Sequence, residues 1–436
     1  MTPNDTLFLK NFFQKVIDSP LSPQDERYIP LYEDPALVGL DPVDMLARAI
    51  SWAPGESVQL LSGFRGTGKS TELRRLKQRL EDEHNIVLLC DMEEHMNLST
   101  PVDVSDFLLA MSGAFSDSIS EQGLLTDPLQ RDWGDRLVGL LTRIEMTDLK
   151  VDLSPISIRM NLKQDPRFKS RLQERMAGHV GTLVNEVRSF FGECVASVRK
   201  RQSIPVEVIL LVDSVEHIRG TSVNAQDVQS SVETLFASHA EKLHLPGLHI
   251  VYTVPPYLKV RYPNLGSLYD PGGIHLLPAF KLRDRDGTPL AQNYDAMERL
   301  VAKRGDWKKL LGRRDLLDRL IGYSGGHLRD LLRLVSGVLR LADRLPVAES
   351  TVEAAIHHLR NEFLPIADDD ARWLAAIANS HQAALDSANQ LPVLARFLDT
   401  HLALCYRNGD EWFDIHPLIA DQVDRQVEES RARSPT

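Results

Sequence analysis

Cysteine and long apolar runs are scarce in this 436-residue chain. Its cysteines are Cys90, Cys194 and Cys405, and none belongs to a Cys-x-x-Cys pair or a Cys/His group at zinc spacing. This scarcity argues against a disulfide framework and against a structural zinc site. No apolar run approaches the ~20 residues that a membrane-spanning helix needs, and the N-terminal residues carry no apolar stretch of secretory length. We therefore expect a cytoplasmic protein.

Aromatic residues are also few, at 6% of the chain, whereas hydrophobic residues reach 43% and charged residues 25%. The last two fractions are close to those of an average globular domain and argue against disorder or a coiled coil. The net charge of −11 argues against a protein whose whole surface binds nucleic acid, but it leaves room for a local basic face. Residues 301–344 hold 11 Lys/Arg and 5 Asp/Glu, a net of +6, while residues 346–436 hold 7 Arg and 15 Asp/Glu, a net of −8.

Short apolar runs alternate with helical periodicity in the first two thirds of the chain. This order predicts an α/β fold with a doubly wound parallel sheet, in which helices cross over between buried strands. The predicted strands are 57–62, 85–90, 206–212, 249–253 and 274–280, and the predicted helices between them are 69–83 and a segment near 223–242.

The same patterns predict the domain organisation. We expect an irregular lead-in over 1–50 that ends in a short helix from Pro42 to Trp52, an α/β domain over 51–287 with a helical insertion at about 101–204, a helical lid over 288–362 and a winged-helix-like domain over 363–436. Within the insertion, the pattern predicts two short strands around Leu149–Leu162 and one long helix over 166–201. The C-terminal domain is predicted from a helix at 391–400 and a hairpin around Asn408-Gly409.

Residues 63–70 read GFRGTGKS and match the phosphate-binding pattern G-x-x-x-x-G-K-[ST]. Glycines at these positions allow backbone N–H groups to surround phosphate oxygens, and the helix that follows adds its dipole. Lys69 is expected to reach the β- and γ-phosphates, and the hydroxyl of Ser70 is expected to bind Mg²⁺. The candidate nucleotide-binding residues are Gly63, Arg65, Gly66, Thr67, Gly68, Lys69, Ser70 and Thr71.

A second acidic motif supports this interpretation. Asp213 directly follows the apolar run Val208–Val212, as expected for a carboxylate that holds Mg²⁺ from the end of a buried strand. Together with Ser70, it forms the predicted metal-binding pair. A nucleotide and Mg²⁺ are therefore the expected cofactors.

These motifs resemble the AAA+ superfamily of P-loop ATPases, specifically its origin-recognition and STAND members. The resemblance covers most of the chain from about residue 28 and includes the segment 323–330, which is similar to the lid helix of that family. It implies ATP as the nucleotide, Mg-dependent ATPase activity, a sensor 1 role for Thr253 and a sensor 2 role for Arg329 on the γ-phosphate.

The chain departs from the family at the catalytic base. Most AAA+ hydrolases carry Glu directly after the acidic residue at the end of the strand, whereas this chain has Ser214 there and its nearest glutamate is Glu216. Two interpretations stay open: Glu216 activates the attacking water, or the protein binds ATP as a slow switch.

An arginine supplied by a neighbouring subunit would complete such a site. Arg261 is the best-placed candidate for this arginine finger, ahead of Arg219, Arg283 and Arg285, and its use implies a homo-oligomer.

We therefore expect a nucleotide-dependent switch or assembly motor that acts on a protein partner, such as an effector in a bacterial antiviral defence system. The alternative is a DNA-associated ATPase of the origin-loader or transposition-helper kind, which would use the winged helix and the basic lid. A third reading assigns the helical insertion to effector docking.

Overall fold

The computed structural model describes residues 1–125, 133–143, 155–220, 223–269, 273–385, 387 and 390–433. The chain divides into two compact units. Unit 1 comprises Met1–Pro42, Gly63–Arg74 and Leu276–Thr436, and unit 2 comprises Val43–Ser62 and Arg75–His275. In the described part of the chain, no helix has the length and apolar character needed to cross a membrane.

The strands are, in chain order, β1 (Ser57–Gly63), β2 (Ile86–Asp91), β3 (Val208–Asp213), β4 (His249–Val254), β5 (Ile274–Leu277), β6 (Ala403–Asn408) and β7 (Asp410–Ile415). The helices are α1 (Pro3–Lys15), α2 (Pro35–Val38), α3 (Pro42–Trp52), α4 (Lys69–Asp82), α5 (Val104–Glu121), α6 (Trp133–Arg143), α7 (Pro155–Gln164), α8 (Pro166–Met176), α9 (Val180–Arg201), α10 (Ala225–Glu233), α11 (Tyr257–Arg261), α12 (Ala291–Ala302), α13 (Trp307–Leu311), α14 (Arg314–Ser324), α15 (Leu328–Leu341), α16 (Glu349–Arg360), α17 (Asp368–Ser380), α18 (Leu391–Asp399) and α19 (Ala420–Arg433).

A five-stranded sheet with the order β2-β3-β4-β1-β5 forms the centre of the α/β region. The pairs β2–β3, β3–β4 and β4–β1 are parallel, with Asp91 opposite Asp213 and Leu61 opposite Thr253. Every residue of β3 and β4 is buried, as expected for strands covered by helices on both faces. The sheet and its crossover helices confirm the predicted α/β P-loop fold class.

The helical insertion of unit 2 packs through aromatic side chains. The Phe115 ring of α5 lies 5.9 Å from the Phe190 ring and 4.2 Å from the Phe191 ring, both on α9, measured between ring centroids. Such contacts bury large apolar surfaces, which is the main source of stabilisation in a helical layer.

Four predictions of local structure were wrong. Residues 3–15 form a helix rather than an irregular lead-in, because Thr2 and Asp5 make a reciprocal capping box in front of Pro3. Residues 155–162 belong to α7 rather than to a strand, because proline favours the first helical position; residues 149–154 of that prediction lie outside the described residues.

The other two errors concern helix length. The predicted helix over 166–201 is interrupted between Met176 and Val180, where Gly178 has a low helix propensity. The predicted helix near 223–242 is regular only over Ala225–Glu233 and continues as a wider π turn over Thr234–Ser238.

The C-terminal part of unit 1 contains the predicted hairpin. β6 and β7 are antiparallel, and Gly409 between them has a φ of +87°, which glycine adopts without strain. The Tyr406 and Trp412 rings stack at 4.6 Å between centroids. They form a buried cluster with Ala279 and Leu404 that attaches the hairpin to the segment after β5.

Candidate functional site

The loop after β1, residues 63–70, has a backbone that its glycines adopt without strain. Gly66 and Gly68 have φ angles of +95° and +97°, in a region that a Cβ atom disfavours. A Cβ atom on Gly63 would lie 2.7 Å from the carbonyl oxygen of Leu277. The glycine spacing of the motif thus matches the conformation and the space of this loop.

The Lys69 side chain is buried and turned back over the loop. Its Nζ donates to the carbonyl oxygens of Gly63 at 2.8 Å and Phe64 at 2.7 Å. The Thr67 hydroxyl donates to the same Phe64 carbonyl at 2.9 Å. These bonds hold the ammonium group within the curve of the loop, where the motif predicts phosphate oxygens.

Tyr32 also fixes the loop, and no sequence motif pointed to it. Its hydroxyl lies within donating distance of the Thr67 carbonyl at 3.2 Å and of the Pro278 carbonyl at 3.0 Å. The residue is buried, and this burial raises the pKa of the phenol above its usual value, so it stays a donor. The apolar residues 29–31 that precede Tyr32 are the one local feature compatible with a buried position.

The start of α15 lies directly against the loop. The backbone N–H of Arg329 donates to the Gly66 carbonyl at 3.1 Å. The Nε2 atom of His327 lies 2.7 Å from the Arg65 carbonyl oxygen. A Cβ atom on Gly66 would meet the Cβ atom of Arg329 at 2.6 Å, so the contact requires glycine there.

The predicted sensor 2 residue, Arg329, therefore adjoins the loop through its backbone, while its guanidinium pairs with the carboxylate of Asp18. The segment around Asp18 makes further contacts with the start of α4. The backbone N–H of Leu21 donates to the Thr71 hydroxyl at 3.1 Å, and Arg74 donates to the Pro20 carbonyl at 2.5 Å. The hydroxyl of Thr71, one of the predicted binding residues, thus accepts a bond from the N-terminal segment.

A group of one carboxylate and three imidazoles lies behind the start of α15, and all but the half-buried His401 are buried. Asp330 Oδ2 is 2.7 Å from His327 Nδ1 and 3.2 Å from His416 Nε2, and the His327 and His401 rings are 4.6 Å apart between centroids. Burial alone would raise the pKa of Asp330, but the neighbouring imidazoles of His327 and His416 hold it well below its usual value. Asp330 is therefore an ionised acceptor for His416 and lies in ion-pair contact with His327.

In unit 2, Asp213 ends β3 as predicted and is buried. The next residue, Ser214, has a φ of +66°, and its N–H donates to Asp213 Oδ1 at 2.8 Å. Thr253 stabilises this turn from β4, because its hydroxyl accepts the Val215 N–H at 3.1 Å. Left-handed backbone at a residue other than glycine is uncommon, and such strain is concentrated at functional sites.

Glu216 lies in the one-turn 3-10 helix that follows, Val215–His217. Its carboxylate is buried, and its Oε1 is 3.7 Å from the His217 imidazole. A second acidic residue, which the sequence analysis did not predict, lies at this edge: Asp91 ends β2 directly opposite Asp213. Its position after a buried strand is the signal that identified Asp213 itself.

Arg261, the predicted arginine finger, is paired within its own unit. Its Nη2 donates to the Glu233 carboxylate at 3.1 Å, and its side chain is 18% exposed. Burial raises the pKa of Glu233, and Arg261 opposes this shift. Of the weaker candidates, Arg219 donates its backbone N–H to Leu98, Arg283 pairs with Asp414, and Arg285 donates to the Ser380 carbonyl.

Comparison with known proteins gives solved structures only. No protein-family model matches the chain, and no curated protein matches it. The chain is similar to a Walker-type ATPase of Pyrococcus abyssi (14% identity, 95% of this chain and 99% of that one, TM-score 0.42), to Cdc6p of Pyrobaculum aerophilum (13%, 96% and 98%, 0.42) and to the ORC2 protein of Aeropyrum pernix in its ADPNP-ADP complexes (12%, 96% and 98%, 0.40). At these TM-scores the resemblance does not bear on what this chain binds or does.

Proposed function

We propose that the chain is a Mg-dependent ATPase of the AAA+ type, in which the nucleotide state acts as a switch on a partner. The observation that carries this proposal is the loop at 63–70, with two left-handed glycines and a buried lysine folded over it. This arrangement is typical of a phosphate-binding loop, in which the glycines let backbone N–H groups surround an anion and the lysine exchanges carbonyl partners for phosphate oxygens.

The residue roles follow from chemistry. Lys69 and Arg329 would stabilise charge on the γ-phosphate, and Thr253 would orient water. Ser70 and Asp213 offer oxygen ligands, which Mg²⁺ prefers, and Asp213 is a buried carboxylate at a strand end. The ion, when bound, would neutralise charge on the β- and γ-oxygens.

Slow turnover is part of this proposal. Ser214 occupies the position where AAA+ hydrolases carry the catalytic glutamate, and its left-handed backbone turns the chain before Glu216. Glu216 is the residue that would act as the base, since its buried carboxylate lies in the turn that directly follows Ser214. A switch needs only that ATP and ADP favour different states, and fast hydrolysis is not required for this.

Variants separate binding from hydrolysis. We expect Lys69→Ala to lose nucleotide binding, whereas Glu216→Gln should bind ATP like the wild type and lose the turnover that remains. Phosphate release measured at saturating ATP, beside the dissociation constant of a fluorescent ATP analogue, tests this. Equal turnover in the wild type and Glu216→Gln would remove Glu216 from the mechanism and leave the binding proposal standing.

Arg261 pairs with Glu233, and it would have to leave this ion pair to act as an arginine finger. A finger acts in a neighbouring subunit, so mixing Arg261→Ala with Lys69→Ala should restore part of the turnover, because each variant supplies what the other lacks. A residue needed only for its own subunit gives no restoration. Restoration would also support a homo-oligomer, since turnover per chain should then rise with protein concentration.

The DNA-associated alternative depends on the basic lid. Several of its arginines are already paired with acidic groups of the same unit: Arg313 with Asp315, Arg314 with Glu298 and Asp318, and Arg319 with Glu349 and Glu353. Such pairing reduces the charge available to phosphates, so we favour a protein partner. Salt-dependent binding of labelled duplex DNA, measured by fluorescence anisotropy, would reverse this preference.

A further inference from the structure

We propose that His327 is a positioning residue that holds the phosphate-binding loop in its binding conformation. This inference rests on the proposed nucleotide-binding function and adds to it a residue that contacts the loop from α15. His327 is not part of the loop motif, and it lies two residues before the arginine that the family resemblance singled out.

His327 binds the loop through a hydrogen bond to a backbone carbonyl. A carbonyl oxygen only accepts hydrogen bonds, so the Nε2 atom of His327 must carry the proton that it shares with Arg65 at 2.7 Å. This carbonyl belongs to the residue between Phe64, whose carbonyl binds Lys69, and Gly66, whose φ is +95°. The imidazole thus fixes the peptide orientation at the middle of the loop.

The orientation of the His327 imidazole is fixed by its buried neighbours. The residue is fully buried, and its Nδ1 atom faces Asp330 Oδ2 at 2.7 Å. Asp330 in turn accepts from His416 Nε2 at 3.2 Å, while His416 Nδ1 accepts the backbone N–H of Leu418. The imidazole therefore has one orientation, set by a carboxylate that is itself held on its other side.

A metal ion is a poorer explanation of this group. His327, Asp330 and His401 offer ligand atoms that all lie within 4.8 Å of one another. Adjacent ligands of a tetrahedral Zn²⁺ are separated by about 3.3 Å, as Zn–N and Zn–O lengths of about 2.0–2.1 Å require. The 2.7 Å between His327 Nδ1 and Asp330 Oδ2 is too short for a bridging ion and is the distance of a direct contact between the two groups.

Two amide substitutions separate the two contacts of the imidazole. In His327→Gln the longer side chain places an N–H group near the position of Nε2, so the bond to the Arg65 carbonyl is retained. In His327→Asn the shorter side chain reaches only the position of Nδ1, so the contact with Asp330 is retained and the bond to the loop is lost. His327 is also the N-cap of α15, where asparagine is a favoured residue, so His327→Asn should not unwind the helix.

The test combines two measurements on the full chain. The first is the dissociation constant for MgATP, and the second is hydrogen exchange of peptides covering residues 60–72 in the absence of nucleotide. We expect His327→Asn to bind MgATP about 5- to 10-fold more weakly, as the loss of one buried hydrogen bond predicts, and to exchange faster in the loop. His327→Gln should stay within about twofold of the wild type in affinity and match its exchange.

Equal MgATP affinity and equal loop exchange in His327→Asn and His327→Gln would overturn the proposal. This holds whether both variants match the wild type or both are impaired to the same extent. The second result would assign the effect to Asp330 or to packing. If the wild type binds no nucleotide, the proposed function fails, but loop exchange still decides whether His327 positions the loop. Failure of the nucleotide-binding proposal can therefore be told apart from failure of the proposed role of His327.

Discussion

At the scale of single residues, Gly66 is the position where the loop admits least change. It combines a positive φ with a contact to α15 that leaves no space for a methyl group. We predict that Gly66→Ala reduces MgATP affinity by at least about tenfold, since the added Cβ would both strain the backbone and push against Arg329.

A control variant separates the effect of backbone strain from the effect of the contact between Gly66 and α15. Gly287 has a similar φ of +87°, but a Cβ atom there would meet nothing within 4 Å. Gly287→Ala should therefore destabilise the fold by about 1–2 kcal/mol and leave nucleotide affinity unchanged. Equal affinities of Gly66→Ala and Gly287→Ala, measured with the fluorescent analogue, would contradict the loop geometry described above.

The lowered pKa of the buried His416 imidazole makes the stability of the fold depend on pH. Its burial lowers its pKa below the usual value, and Asp330 opposes this shift, while His327 and Arg333 add to it. The folded state therefore binds fewer protons at this position than the unfolded state, whose imidazole titrates near 6.5. The resulting stabilisation is present above about pH 6.5 and is lost as the pH falls towards the folded pKa.

We expect His416→Asn to have a shallower decline of stability between about pH 7.5 and pH 5.5 than the wild type. Asparagine keeps an acceptor for the Leu418 N–H, so the 3-10 helix that follows remains capped. Urea unfolding at a series of pH values checks this, with the exposed His358→Asn as control. Parallel pH profiles of the wild type and His416→Asn would show that the imidazole does not titrate differently on folding.

At the scale of elements, α1 packs closely on the turn between α12 and α13. A Cβ atom on Gly305 would lie 2.3 Å from the Phe12 ring, which is 2% exposed. Gly305→Ala should therefore lower the free energy of unfolding by about 1–3 kcal/mol, the usual cost of overpacking. Thermal or urea unfolding measures the difference.

A helix position with open space provides the comparison for Gly305. Gly181 lies in α9, and a Cβ atom there would meet nothing within 4 Å. Gly181→Ala should be neutral or stabilising, because alanine has the higher helix propensity. A Gly305→Ala variant as stable as Gly181→Ala would mean that α1 does not pack on that turn.

Elements with a strong local signal were predictable from the sequence. The strands of the central sheet were found because Val208–Val212 and similar runs are apolar on both faces, and the hairpin was found because Asn408-Gly409 favours a tight turn. Helix α1 was missed because the prolines between Pro20 and Pro42 led to an irregular prediction for the whole N-terminal segment. Helix α7 was missed because the apolar pattern over 149–162 was interpreted as two short strands, whereas Pro155 is a first helical residue.

The candidate site was predictable only where its chemistry is contiguous in the chain. Lys69 and Asp213 belong to local motifs that carry a known mechanism. Tyr32 and His327 contact the same loop from 35 and 262 residues away, and such contacts depend on tertiary packing that no local pattern encodes.

At the scale of the whole molecule, charge and partner choice are linked. Residues 346–436 carry a net charge of −8, and Arg313, Arg314 and Arg319 of the lid pair with acidic groups, which reduces the positive charge available to a nucleic acid. A protein partner that reads the nucleotide state is therefore the proposal we favour, and its first requirement is that the chain binds ATP.

Calorimetric titration of ATP into the full chain, with and without Mg²⁺, tests this requirement most directly. We predict one site per chain, with an affinity that falls when Mg²⁺ is withheld and falls at least about tenfold in Lys69→Ala. Lys77→Ala, a charge-matched change on the same helix whose ammonium pairs with Glu81, should bind like the wild type. No heat of binding in the wild type, or equal affinities in the wild type and Lys69→Ala, would contradict the proposal that the loop at 63–70 binds ATP.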